Sequence, residues 1–247
     1  MIKVVNISKS FGDHEVLKNI SLKFEKGKTN LIIGRSGSGK TVLMKCLVGL
    51  YGVDKGHIDF DDRNFSKMTF KEQRDIRKEI GMLFQGGALF DSMTVEENVM
   101  FPLTMFTKKS YDEKLERVNF CLNRVALENE NKLYPSELSG GMTKRVAIAR
   151  AISMNPEYLL CDEPNSGLDP ITAGVIDELI SEITKEYQTT TIINTHDMNS
   201  VLKIGDKVAF IYDGEIWWEG DKNQILETDN KELNNFVFAT ELTKRIK

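Results

Sequence analysis

Gly34-Arg35-Ser36-Gly37-Ser38-Gly39-Lys40-Thr41 satisfies every fixed position of the pattern G-x-x-x-x-G-K-[ST]. The chemistry available to such a stretch is the binding of a nucleotide triphosphate tail. Glycines let successive backbone N–H groups turn toward one anion. Lys40 is expected to reach the β- and γ-phosphates, and the Thr41 hydroxyl to ligate Mg²⁺. The loop works only between a strand and a helix, and its flanks fit. Leu31-Ile32-Ile33 is a short apolar run, and Val42 to Val48 has helical apolar spacing. A helix start adds partial positive charge beneath the phosphates.

A second set of residues could act on a bound nucleotide. Leu159-Leu160-Cys161 is an apolar strand that stops at Asp162 and Glu163. In α/β proteins the carboxyl edge of the sheet is where ligands bind. Asp162 is therefore a candidate Mg²⁺ partner, direct or through water. Glu163 is a candidate to orient or deprotonate an attacking water. His196 follows the run Thr191 to Thr195 and could contact the γ-phosphate. Gln85 closes the run Ile80 to Phe84 and could ligate Mg²⁺ or a water. For His196 and Gln85 a plain polar strand end is the alternative. Ser139-Gly140-Gly141 precedes a helical stretch, with Ser139 as a natural N-cap. It is a second anion-binding helix terminus on a chain that already has one. The economical reading is that it serves a nucleotide held by another copy.

The elements that must position these residues alternate. Strands are expected at Ile2–Ile7, Ile20–Phe24, Asn30–Ile33, His57–Phe60, Ile80–Phe84, Tyr158–Cys161, Thr190–Asn194, Lys207–Tyr212 and Glu215–Glu219. Asp213-Gly214 is a hairpin turn between the last two. Helices are expected at Lys71–Lys78, Val95–Phe101, Tyr111–Val125, Gly141–Met154, Ile171–Glu186 and Asp197–Ile204. Alternation predicts an α/β fold with a mostly parallel sheet covered on both faces. The whole chain, 1–247, reads as one domain. A nucleotide-binding core spans 1–87 and 156–222, with an antiparallel β subdomain at its start. A helical insertion covers about 88–155. A helical tail occupies 223–247, with apolar spacing at Leu233, Phe236, Val237, Ala239 and Leu242.

Composition sets bounds. A chain of 247 residues can bury a substantial core. The formal charge of −4, with both signs mixed along the chain, gives no support to nucleic-acid binding. Cys46, Cys121 and Cys161 are widely spaced in apolar or helical stretches and read as core side chains in a reducing compartment. The first residues lack a signal-peptide pattern, and no apolar run approaches the roughly 18–20 residues of a membrane span. The expectation is a soluble, cytoplasmic chain whose membrane contact comes through a partner.

At this point the chain resembles the ATP-binding cassette family along nearly its whole length. The resemblance rests on an ordered set: Phe11, the phosphate loop, Gln85, Leu138–Met142, Asp162-Glu163-Pro164, Ser166-Gly167-Leu168-Asp169 and His196. It implies that Phe11 stacks on adenine, although Tyr is more usual there. It implies that Ser139, Gly140 and Gly141 close on the opposite subunit's ATP, and that Ser166–Asp169 crosses a dimer interface. It implies a homodimer with ATP and Mg²⁺ sandwiched between subunits, driving integral membrane permease subunits. Phe84 to Val99, Met142 and Asp169-Pro170-Ile171-Thr172 are more narrowly similar to the ATPases of Mla-type lipid transporters, which work with MCE-domain lipid-binding proteins. That likeness places the chain on the cytoplasmic side of a Gram-negative inner membrane. Amino-acid importer ATPases share much of this pattern, and a non-transport cassette is a more distant alternative. Leu89, Phe90, Met93 and Val95 are expected to be exposed apolar residues that meet the permease, with anchoring of the insertion to the sheet domain the alternative for Leu89 and Phe90, and an acceptable one for Leu89 alone. Two positions depart from the family pattern: Val42, where a second hydroxyl is common, and Asn165, where Thr or Ser is common.

Overall fold

The computed structural model describes residues 1–238, so Ala239 and Leu242 of the expected tail helix lie outside the described residues. Two sheets form. The first, ordered β2-β1-β4-β5, is antiparallel and comprises β1 (Ile2–Phe11), β2 (His14–Phe24), β4 (Lys55–Phe60) and β5 (Arg63–Asn64). The second is ordered β10-β9-β3-β8-β7-β6. It contains β3 (Thr29–Ile33), β6 (Ile80–Leu83), β7 (Tyr158–Asp162), β8 (Thr190–Thr195), β9 (Lys207–Tyr212) and β10 (Glu215–Gly220). Its strands run parallel except for β10, which turns back on β9. Asp213 and Gly214 in that turn have φ of 48° and 79°, the pair of positive values a two-residue hairpin of this hand needs.

The inner strands β3, β7, β8 and β9 of the second sheet are buried on both faces, which fits their apolar runs, while the edge strand β10 is partly exposed. The period of two sorts its side chains. Ile32, Leu160, Ile192 and Ile211 face the first sheet and α1 (Lys40–Leu47), and pack with Ile2, Phe24, Phe60, Leu43 and Met44. Leu31, Ile33, Leu159, Cys161, Ile193 and Phe210 face the other way. That face is covered by α3 (Val95–Phe106), α4 (Tyr111–Arg124), α5 (Gly140–Ile152), α6 (Pro170–Tyr187), α7 (Met198–Ile204) and α8 (Lys231–Val237). Helices α3, α4 and α5 all lie between β6 and β7 in the chain. They share the apolar core of the sheet face they cover.

Local chemistry sets the helix starts. Thr69, Thr94 and Ser110 each form a reciprocal capping box, with Glu72, Glu97 and Glu113, at the starts of α2 (Phe70–Lys78), α3 and α4. Each such cap stabilises its helix by about 1 kcal/mol. Asp169 caps α6 through the N–H groups of Ile171 and Thr172, with Pro170 at the first helical position. All three cysteines are buried and free.

Some boundaries differ from the expected ones. The first two strands are longer because β-bulges break their alternation, with Asn6 and Asn19 at φ of 48° and 52° beside the register shifts. Helix α3 continues through Pro102 to Phe106 rather than stopping at Phe101. Val95, expected at the surface, is fully buried, and Leu89 is half-buried against the same core. Both therefore anchor the insertion instead of facing outward. Of the tail, Leu233 and Val237 are buried on their own domain.

Candidate functional site

The phosphate loop follows the buried β3 and enters α1. Gly34 has φ of 154°, and a Cβ there would sit 2.3 Å from the carbonyl oxygen of Ile211. Only glycine lets the loop leave the sheet beside β9. Gly39, at φ of 107°, makes the turn into the helix. Lys40 is only 7% exposed, and its Nζ donates to the carbonyls of Gly34 (2.7 Å) and Arg35 (3.1 Å). Burial pulls its pKa below the usual lysine value, while the charges of Glu163 and Asp162 oppose that shift. The Ser38 hydroxyl is buried with no hydrogen-bond partner. A buried ammonium facing carbonyls, beside an unpartnered hydroxyl, fits a polyphosphate.

These residues open onto a cleft of about 990 Å³. It is lined by Arg35–Gly37, Gly39–Val42, Gln85, Glu163, Asn165–Gly167, Thr195–Asn199 and, from α8, Asn235–Val237. A smaller cavity of about 360 Å³ lies at the opposite edge, by the start of β3 and β9, and holds none of the expected site residues. At the carboxyl ends of the central strands, His196 Nδ1 lies 2.9 and 3.0 Å from the two Glu163 carboxylate oxygens. Glu163 adopts a left-handed φ of 49°, and its N–H donates to the Asn194 carbonyl at 3.0 Å. Such a conformation costs of order 1 kcal/mol or more outside glycine and is often found where function sets the geometry. Asn194 in turn donates from Nδ2 to Asp162 Oδ1 at 3.1 Å, so β8 steadies the Asp162 carboxylate.

The donor set suits a hard cation. Among the described residues no group of three or more His, Cys, Asp or Glu could cage a metal. Mg²⁺ does not ask for one, since it is usually held by one or two protein oxygens plus phosphates and waters. Thr41 and Gln85 line the cleft, and Asp162, the residue before Glu163 at the end of β7, is buried and does not line it. Gln85 is exposed and reaches Ser166, with Nε2 to Oγ at 3.4 Å.

Not every sequence-expected residue lines the cleft: Gly34, Ser38 and the buried Asp162 sit behind its lining, and two further groups stand apart from it. Phe11 is half-exposed and packs edge-on against Tyr51, with ring centroids 5.1 Å apart, and Val16 lines the cleft in its stead. Ser139, Gly140 and Gly141 stand at the start of α5, outside the cleft lining. Ser139 Oγ accepts the N–H of Met142 at 3.2 Å, and Ser139 and Gly140 are exposed. The first-turn N–H groups of a helix lack intrahelical acceptors.

Sequence reasoning missed three residues that hold this site together. Lys144 and Arg150, both on α5, are 4% and 9% exposed. Lys144 donates to the Gln85 carbonyl, and Arg150 donates to the carbonyls of Gly87 and Ala88, each at 2.7 Å. The helix that presents Ser139 is thereby tied to the loop that carries Gln85. The available signal was one cation, Arg150, inside the otherwise apolar run Val146 to Ile152, with Lys144 two residues before that run. The third is Asn98, fully buried on α3. It accepts the Phe90 N–H at 2.8 Å and donates to the carbonyls of Phe90, Met93 and Thr94.

A family model described as "ABC transporter" matches residues 17–166. The chain belongs to the ABC transporter family. It is 41% identical to the methionine import ATP-binding protein MetN of Clostridium tetani, over 98% of this chain and 76% of that protein. It is 37% identical to the intermembrane phospholipid transport system ATP-binding protein MlaF of Haemophilus influenzae, over 96% of this chain and 90% of that one. Its fold matches a dimeric post-hydrolysis structure of the cassette MJ0796 bound to ADP and Pi. There the TM-score is 0.82 with 32% identity, covering 90% of this chain and 99% of the other. This cassette is an ATPase subunit of an ABC transporter, and ATP is its nucleotide. No helix among the described residues is long and apolar enough to cross a membrane.

Proposed function

We propose that the chain hydrolyses Mg²⁺-ATP as a homodimer that drives phospholipid movement through integral membrane permease subunits, on the cytoplasmic side of a Gram-negative inner membrane. Lys40 and the N–H groups of residues 34–41 hold the phosphates, with Val42 at their edge. Thr41, Asp162 and Gln85 hold Mg²⁺, and Phe11 meets the adenine. Glu163 takes the proton of the attacking water, and His196, bonded to it, steadies the developing charge. The carrying observation is the split of the site: the cleft gathers the phosphate loop, Gln85, Glu163 and His196, while the α5 terminus lies outside it. A second copy supplies that terminus to the first copy's ATP.

The lipid reading is supported by the Phe84–Val99, Met142 and Asp169–Thr172 pattern and by the MlaF relative. A second reading, import of an amino-acid-like solute, is favoured by the higher identity to MetN. Native purification of the detergent-solubilised complex decides between them. Co-purifying phospholipid and an MCE-domain protein support the first. An amino-acid-binding protein instead would replace it with the second.

The permease is proposed to meet the surface around Phe90. That ring is 41% exposed and packs on Phe101 at 4.8 Å, and Met105, one turn along α3 from Phe101, is 60% exposed. An apolar patch of this kind on a soluble subunit marks a partner surface. Phe90→Glu or Met93→Glu should leave the isolated ATPase folded and nucleotide-binding, while permease association and lipid-stimulated turnover fall together. Wild-type assembly by both variants would place the coupling surface elsewhere.

A further inference from the structure

Between Glu163 and the exposed Gly167, the chain plunges briefly into the protein at Asn165, which is 9% exposed. Its Nδ2 donates to Asp177 Oδ1 at 2.7 Å and to Ser200 Oγ at 2.9 Å. Asp177 lies on α6 and Ser200 on α7, and they are 2% and 1% exposed. Burial pushes the Asp177 carboxyl above its usual range, while the bonds from Asn165 and Ser200 pull it back. Among the described residues no salt bridge from a lysine or arginine reaches this carboxylate. A polar trio in an apolar seam contributes little net stability compared with a well-packed apolar one, but it fixes geometry once its bonds are made.

What it fixes is the distance between two catalytic segments. Glu163 is two residues before Asn165, and His196 is four residues before Ser200, just ahead of α7. The same two segments are thus braced twice: Glu163 to His196 at the cleft, and Asn165 to Ser200 beneath it. Asp177 anchors the lower brace to α6. On the other side of Asn165, Ser166 accepts the bond from Gln85. The phosphate loop leaves a different strand, β3, and takes no part in the trio.

We propose that Asn165 is a positioning residue that holds Glu163 against His196 in hydrolytic geometry, acting through Ser200 and Asp177. This rests on the reading of Glu163 as the base. Asn165 borders the cleft, but its side-chain amide is spent on Asp177 and Ser200 and makes no bond to the phosphate loop, so loss of Asn165 lowers kcat far more than it weakens ATP binding. Misplacing a reacting group by about 1 Å costs up to ~100-fold in rate.

The experiment measures steady-state ATPase and equilibrium ATP affinity for Asn165→Ala, Asn165→Asp, Ser200→Ala and the swap Asn165→Asp/Asp177→Asn. Glu163→Gln runs in parallel, and melting curves report folding. Asn165→Ala and Asn165→Asp should lose ~10- to 100-fold in kcat with affinity within about threefold of wild type. Ser200→Ala, which keeps the bond to Asp177, should lose less. The swap rebuilds an amide–carboxylate pair with its direction reversed and should recover most of kcat. Wild-type kcat in folded Asn165→Ala, equal losses in kcat and affinity, or a folded swap no faster than Asn165→Asp would each overturn the proposal. If single variants do not fold, the swap alone decides. Turnover by Glu163→Gln would remove the base assignment and this inference with it. An inactive Glu163→Gln beside fully active Asn165 variants would remove only the inference.

Discussion

The phosphate loop and the start of α5 are both glycine-rich helix N-termini, yet the molecule treats them differently. The first is sunk into the sheet. Its lysine is buried, its Gly34 is pressed against Ile211, and the side chains of Glu163 and His196, just past β7 and β8, meet in the same cleft. The second is exposed, with its serine spent on a cap, and it does not line the cleft that holds Lys40, Glu163 and His196. The structure packs Gly141 against its own α6, where an added Cβ would lie 2.8 Å from Thr172 Cγ2. One terminus opens onto a cleft of this chain's own polar side chains. The other is left at the surface. Two similar motifs differ in surroundings, the sheet's carboxyl edge for one and solvent for the other.

The sharpest test of the buried half is Glu163→Gln, which keeps shape and hydrogen bonding but removes the base. Hydrolysis should fall ~10²- to 10⁴-fold. The variant should still bind ATP and run as a dimer with nucleotide and a monomer without. A monomer in both states, by light scattering, would undo the view that α5 is presented to another copy. Lys40→Ala should abolish hydrolysis to a similar degree, by removing the cation from the β- and γ-phosphates.

Mixing separates the two halves directly. In the Glu163→Gln background, Lys40→Ala copies should not hold ATP, and Ser139→Arg copies should hold it without pairing. A mixture should form heterodimers with one ATP, because one phosphate loop then meets one intact α5 terminus. Absence of heterodimer at concentrations where Glu163→Gln alone dimerises would mean that both termini serve the same chain's nucleotide.

A smaller effect is expected where the two halves are tied. Arg150 spans the carbonyls of Gly87 and Ala88, and burial alone pulls its pKa down. Arg150→Met leaves those carbonyls unpaired and should cost about 1–3 kcal/mol in denaturant unfolding. It should also loosen the link between Gln85 and the α5 terminus, so that ATP-driven dimerisation weakens more than ATP binding. Equal loss of both would make Arg150 a purely structural residue.

Much of the buried half was legible in the sequence because its chemistry is local. A glycine loop, a strand ending in acids and a strand ending in histidine each carry their meaning in a few adjacent residues. The alternation of β3, β7 and β8 was equally readable, since a sheet covered on both faces writes itself as apolar runs. The ties were not. Asn98, Lys144, Arg150 and Asn165 make bonds to residues distant in sequence or to backbone atoms, and nothing in their spacing names the acceptor. Val95 misled for a related reason: an apolar residue at the start of the insertion looks exposed until the core that covers it is known.

Val42 gives the smallest and most delicate test, because it stands on the border of the buried half. It lines the cleft next to Thr41, yet its side chain is half-buried and packs on the core beneath α1. If the methyl facing the cleft occupies the place of a phosphate-binding hydroxyl, Val42→Thr adds one hydrogen bond to the bound nucleotide. Such a bond contributes about 0.5–1.5 kcal/mol, so ATP affinity should rise ~2- to 10-fold. Against it stands the loss of one methyl from the core contact and the desolvation of the new hydroxyl in the free protein. The two terms act on different measurements. Calorimetric titration reads the first, and the melting temperature without nucleotide reads the second. Tighter binding with a slightly lower melting temperature would show Val42 facing both ways. Unchanged or weaker binding would mean that the backbone of the phosphate loop already satisfies the nucleotide there, and that the buried half is complete without the hydroxyl.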